Sequence, residues 1–265
     1  MKRKHIILIF VFIIAVSFVS CKKEPSKKYS NYEKKEKAPS SLNNIYKGVN
    51  SVLDSLEELN TITKEPEEKT AEKKLEDTKK DKEKEKKETK EEKLNKLWKN
   101  MNKTVKGIHD HWNSYEIEGT KKVPISEGID KLEDSLNKFT LAVENKDVYN
   151  IISSGSQVYL YISPYFDSYK DEIKGELCKI KYYVYQSYLM GEKGELDKAK
   201  EILSKGEVHL TNLSHKIGED KNKVKVLEKL SFSFQDFKIV LKENNSNLLT
   251  IKRNIILKNI KQLEK

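Results

Sequence analysis

The 265-residue chain has two cysteines, Cys21 and Cys178, and two arginines, Arg3 and Arg253. Two thiols placed so differently do not make a disulfide framework, and Cys178, beside the apolar Leu177, is expected to be a buried unbridged thiol. The net charge of +10 rests on lysine, and no arginine-rich or glycine-aromatic segment of the nucleic-acid-binding kind is present. A nucleic-acid partner is therefore not expected. The chain has no G-x-S-x-G, no phosphate-cradling glycine loop, no paired C-x-x-C and no H-E-x-x-H. No catalytic residue can be named, so an enzyme is not expected and no cofactor is implied. Strand signals are also missing, because β-branched residues fall at helical rather than alternating positions.

What is present begins with Lys2, Arg3 and Lys4, an apolar run from Ile6 to Phe18, and then Val19-Ser20-Cys21. Basic, apolar and small, in that order, is an export signal. The run is too short to span a bilayer core, which needs about 20 apolar residues. Cleavage before Cys21 follows, with residues 1–20 as signal peptide. A cysteine after a small residue at this point looks like a bacterial lipobox, with Phe18 where leucine is preferred. That implies a diacylglyceryl group on Cys21, membrane lipid as the first partner, and a location at the outer face of the cytoplasmic membrane. Paired acyl chains give stable anchoring.

Residues 21–41 are lysine-rich and broken by Pro25 and Pro39, which predicts a disordered tether. Over 42–60, Leu42, Ile45, Tyr46, Val49, Val52, Leu53, Leu56 and Leu59 share one helical face. That face needs cover from the distal domain, a second copy or another protein. Residues 61–93 are nearly all Glu, Asp and Lys in balance, and are expected to form a charged helical stalk.

The pattern-rich region, 94–265, predicts an all-α fold: an antiparallel bundle of five to six helices. Leu94, Leu97, Trp98, Met101, Val105, Ile108 and Trp112 line the first helix. Ile129, Leu132, Leu136, Phe139 and Val143 line the second, and Asp147 caps a third that reaches about Ile162. Ser163-Pro164 reads as the cap and first turn of a fourth. A fifth covers about 195–217. Leu227, Leu230, Phe234, Phe237, Leu241, Asn244, Leu248, Ile251 and Ile255 then make a heptad seam of about four heptads. Asn244 to Asn247 is a place where it can break. The seam serves either as core of one chain or as a contact in a homo-oligomer.

Three groups are candidates for binding. His109-Asp110-His111 suggests imidazole ligation, but residues two apart on a helix point about 200° from each other, so His109 is at most a weak metal candidate and no metal site is expected. His209 and His215 fare no better. Glu116 and Glu118, with Glu127, offer carboxylates near Trp112 at the end of the first helix. Among the clustered tyrosines, Tyr161, Tyr165, Tyr182 and Tyr185 fall at or outside the edge of the core stripe, and they serve either as core or as a partly exposed binding face for a protein or glycan.

The patches Ile108-His109-Asp110-His111-Trp112-Asn113, Leu136-Asn137-Lys138-Phe139-Thr140, Tyr165-Phe166 with Tyr169, Lys181-Tyr182-Tyr183, and Ser233-Phe234-Gln235-Asp236-Phe237 with Ile251-Lys252 resemble a set of uncharacterised cell-surface lipoproteins of low-GC Gram-positive bacteria. The resemblance covers 94–265 and implies a surface-exposed helical domain, with His109 at a recurring histidine before tryptophan. It supplies no catalytic residue. Two expectations for function follow: a membrane-anchored interaction or scaffold module of the cell envelope with a protein partner, or an extracytoplasmic ligand- or metal-binding bundle around His109, Trp112 and Glu116.

Overall fold

The computed structural model describes residues 36–66, 88–119, 126–170, 172–243 and 245–265, without the side chains of residues 126, 127 and 172. The signal, Cys21, most of the tether, the middle of the stalk, Glu127 and Asn244 lie outside what is described. Among the described residues there are eight helices and no strand: α1 (Ser40–Lys64), α2 (Lys90–Gly119), α3 (Ser126–Glu144), α4 (Val148–Asp167), α5 (Glu172–Glu192), α6 (Leu196–Ile217), α7 (Lys221–Val240) and α8 (Ser246–Leu263). The all-α antiparallel bundle expected from periodicity is what forms.

Each helix packs on the next in sequence, and two further pairings, α1 with α4 and α5 with α8, fold this series into one body. From α3 to α8 the connections are short, which makes those neighbours antiparallel. Asp147 accepts from Asn150 N at 3.0 Å at the start of α4, and Asp220 accepts from Asn222 N and Lys223 N at the start of α7. Each satisfies amides that have no partner inside the helix. Gly218, at φ 63°, turns the chain out of α6 in the left-handed region that glycine enters without strain.

Of the three covers open to the helix at 42–60, the distal domain provides it. Leu42, Ile45, Val49 and Val52 of α1 are buried in the same core as Trp112, Phe166, Leu177 and Ile256. The backbones of α1 and α2 come so close at Gly48 that a Cβ there would stand 2.6 Å from Ile108 Cγ1. Polar contacts along the rim reinforce this: Lys261 donates to Asp54 at 2.7 Å and Arg253 to Glu57 at 2.7 Å. Helix α1 is therefore part of the bundle.

Two local expectations are corrected. Pro164 lies inside α4 rather than opening a new helix. Proline cannot bond the carbonyl four residues back, which would orphan Leu160 O. The Ser163 hydroxyl takes that carbonyl at 2.7 Å, so the helix continues to Asp167 and the next begins at Glu172. The heptad seam is also divided. Leu227, Leu230, Phe234, Phe237 and Leu241 are buried as expected, but the chain turns after Val240 and α8 folds back against α7 and α5. In α8 the buried stripe is Leu249, Arg253, Ile256, Ile260 and Leu263, while Leu248, Ile251 and Ile255 are exposed. A new N-cap, Asn245 accepting from Leu248 N at 3.0 Å, starts α8 with this different face inward.

Candidate functional site

The candidate residues of α2 come together with partners the sequence does not reveal. Trp112 is buried, and its indole Nε1 donates to Glu133 Oε1 of α3 at 3.5 Å. Glu116, one turn further along α2, is half-buried. Burial raises its pKa first, and the neighbouring charge and hydrogen bond of Glu133 raise it further. Trp112 belongs to an aromatic cluster. Tyr165 of α4 meets the Trp112 ring at 5.8 Å and the Tyr115 ring at 5.4 Å, both edge-on. Tyr115 and Tyr169 share a hydrogen bond between hydroxyls at 3.3 Å. The Tyr165 hydroxyl is pushed up to about 12, by burial above all and then by the charges of Glu116 and Glu133. Among the described residues it is the buried side-chain polar atom left without a hydrogen-bond partner.

His109 stands apart from this group. It is half-buried, and its Nε2 lies 2.8 Å from Thr140 Oγ1 of α3. Among the described residues no group of three or more His, Cys, Asp or Glu side chains is placed to hold a metal.

The four candidate tyrosines separate. Tyr165 and Tyr185 are core residues, 1% and 5% exposed, so of the two readings, core and binding face, it is the core one that holds for them. Tyr165 faces the indole of Trp112, and Tyr185 lies under the Arg253 guanidinium at 5.9 Å. Helix periodicity placed both outside the stripe because each helix here is covered on more than one side. Tyr161 and Tyr182 stay half-buried at the rim, with Tyr182 edge-on to Tyr183 at 5.0 Å.

Two buried charge clusters have no simple sequence signal. In the first, Lys181 donates to Tyr46, Asn50 and Glu264 while lying over the ring of Tyr46 at 4.4 Å. Burial pushes its ammonium down, and Glu264 opposes that. In the second, His209 Nδ1 is 2.7 Å from Glu176 Oε2, with Lys179 and Lys216 each 3.4 Å from the other oxygen. Tyr183 stacks on His209 at 5.5 Å. Cys178 is a buried thiol, raised by burial and so unreactive.

The outer surface of α7 and α8 carries exposed apolar side chains. Phe232 is 72% and Ile239 57% exposed, two turns apart on α7, while Leu248, Ile251 and Ile255 follow one stripe of α8. The Asp236–Lys252 ion pair at 2.7 Å joins the two helices between these stripes. Lys225, Lys229, Lys242 and Lys258 are exposed on the same hairpin. Compared with protein-family models, with curated proteins and with solved structures, the chain matches none.

Proposed function

We propose that this chain is an envelope lipoprotein, anchored through lipid on Cys21 at the outer face of the bacterial cytoplasmic membrane, whose bundle docks a partner protein on the α7–α8 face. The observation that carries the docking is the exposure of Phe232, Ile239, Leu248, Ile251 and Ile255 on one hairpin. Large apolar side chains exposed together on one element and rimmed by polar ones cost solubility and mark interaction surfaces. Spacings of three, four and seven residues suit an amphipathic partner helix laid along the hairpin, read as anchors at i, i+3 and i+7. Lysine predominates around it, so the fitting partner helix carries acidic flanks. The helix at 42–60 and the buried tyrosines are not available for this role.

The anchor and the docking face are tested separately. Fatty-acid labelling of the full-length protein in cells should be lost in Cys21→Ala. A photo-crosslinking residue placed at position 232 or 255 should capture one partner through an acidic amphipathic segment, and the same residue at Lys103 of α2 should not. Ile239→Asp should remove the adduct while leaving the melting temperature unchanged. Crosslinks to a second copy, to lipid, or equally from position 103 would overturn the docking reading. A second reading, ligand binding by the bundle itself, is favoured by the unpartnered Tyr165 hydroxyl.

A further inference from the structure

A cavity of about 530 Å³ opens where α1, α4, α5 and α8 meet. That volume is in the range of small-molecule sites, which are walled by apolar side chains around a few placed polar groups. Here Leu56 and Leu59 of α1, Val148 and Ile152 of α4 and Tyr188 of α5 supply the apolar wall. The polar groups come from the first two turns of α8, above all Arg253.

Arg253 is 7% exposed, and its guanidinium is fixed from three sides. It lies over the Tyr188 ring at 4.3 Å. Nε and Nη2 donate to Asn254 Oδ1 at 2.9 and 2.8 Å, and Nη2 also donates to Glu57 Oε1 at 2.7 Å. Nη1 donates to no described residue. It is not among the buried polar atoms left without a partner either, so it touches open space, and Arg253 lines this cavity. A guanidinium held in this way with a donor to spare is ready for an oxygen anion.

The charged residues of the lining are Lys64, Arg253 and Glu57, which leave one positive charge. Ser246 and Asn247, the first two residues of α8, bring the positive end of its dipole to the same cavity. Asn245 accepts from the amides of Leu248 and Leu249, which leaves those of Ser246 and Asn247 without a partner inside the helix. Glu192 is hydrogen-bonded to Ser246 Oγ at 2.8 Å and is outside the lining. A cation would meet Arg253 and Lys64, and a dianion such as a phosphate monoester would exceed the charge on offer beside Glu57. A single negative charge on an apolar body matches both the charge and the wall.

We propose that this cavity binds an organic monocarboxylate with an apolar body. The carboxylate accepts from Arg253 Nη1, and the body lies against Leu56, Leu59, Val148 and Ile152. The acid is either a free medium-chain fatty acid or the C-terminus of a peptide with apolar last residues. Phe232, Ile239, Leu248, Ile251 and Ile255 take no part in it, so its failure would leave the docking reading standing.

The test is calorimetric titration of the full-length protein with octanoate, methyl octanoate, octylammonium, N-acetyl-leucyl-leucine and inorganic phosphate. Octanoate, the dipeptide or both should bind, and the ester, the amine and phosphate should bind at least tenfold more weakly. A clear preference for octanoate identifies a free acid as the ligand, and a preference for the dipeptide a peptide C-terminus. Arg253→Met should weaken binding roughly tenfold or more, as expected for a charge-assisted hydrogen bond. Because Arg253 is also part of the core, two rim variants accompany it. Lys64→Ala should weaken binding a few-fold, and Val148→Trp, which narrows the cavity, should abolish it, each with the melting temperature of the natural protein. Equal binding of the ester or the amine would overturn the proposal, and so would tighter binding of phosphate. Undiminished binding by Val148→Trp, or no carboxylate binding at millimolar concentration, would overturn it as well.

Discussion

Lys181 of α5 and Glu264, just past the end of α8, pair at 2.7 Å, with the lysine only 3% exposed in its side chain. The ammonium is enclosed by Tyr46 and Asn50 of α1, so three helices meet on one charge. Removing one partner of a buried pair is far worse than replacing both, because the survivor stays buried without compensation. Glu264→Ala should therefore cost about 3 kcal/mol. Combining Lys181→Met with Glu264→Gln should recover most of it. Urea unfolding of the natural protein and the two variants checks this, and a double variant as unstable as Glu264→Ala would show that the charge itself is what holds α1.

Gly48 marks a close approach of α1 to the Ile108 side chain of α2. A methyl added there meets Ile108 Cγ1 at 2.6 Å, closer than packed carbons come. Gly48→Ala should destabilise by about 1–3 kcal/mol despite alanine's better helix propensity. With Ile108→Ala the two losses should not add, since the second change removes the clashing atoms. Additive losses in thermal unfolding would mean that α1 does not rest on α2 at this point.

Glu176 is held at about 2: burial alone would raise it, but the hydrogen bond from His209 and the ammoniums of Lys179 and Lys216 outweigh burial. A carboxyl depressed in the folded state contributes stability that is complete above its unfolded value near 4.5 and is lost as pH falls towards 2. The contribution is about 2–3 kcal/mol. Stability measured between pH 5 and 2 should drop more steeply in the natural protein than in Glu176→Gln, which lacks the titrating group. Parallel pH profiles would place the acid sensitivity elsewhere.

Ser163 carries a smaller but sharper prediction. Its hydroxyl is the donor for Leu160 O, the carbonyl that Pro164 cannot serve. Ser163→Ala should cost about 1–2 kcal/mol, and Ser163→Ala with Pro164→Ala should return part of it by restoring the backbone amide. Chemical denaturation of both variants reads the difference directly.

The helices themselves were legible in the sequence. Stripes such as Leu97, Met101, Val105, Ile108 and Trp112, and caps such as Asp147, are local features, and a 3.6-residue period is visible without knowing the neighbours. The candidate site was legible in part. Trp112 and Glu116 stand out on α2, but Glu133, Tyr115 and Tyr169 join them only once α2, α3 and α4 are in register. Tyr165 was visible as an edge residue, and its true place in the core against Trp112 and Tyr115 was not. The failures have the same origin. The direction in which a tyrosine at a stripe's edge faces is set by a second or third neighbouring helix, and the heptad run from Leu227 to Ile255 gives no sign that its halves fold against each other.

By itself, the sequence determined that this chain is helical and where most of its helices begin, because propensity, periodicity and capping act over a few residues. Tertiary structure alone decided that α1 is covered by its own chain and that Ile251 faces outward while Arg253 faces in. It also decided which acid meets which lysine or tyrosine. Those outcomes depend on contacts such as Tyr46 with Lys181, far apart in the chain, where burial and shape, and not local preference, choose the partner.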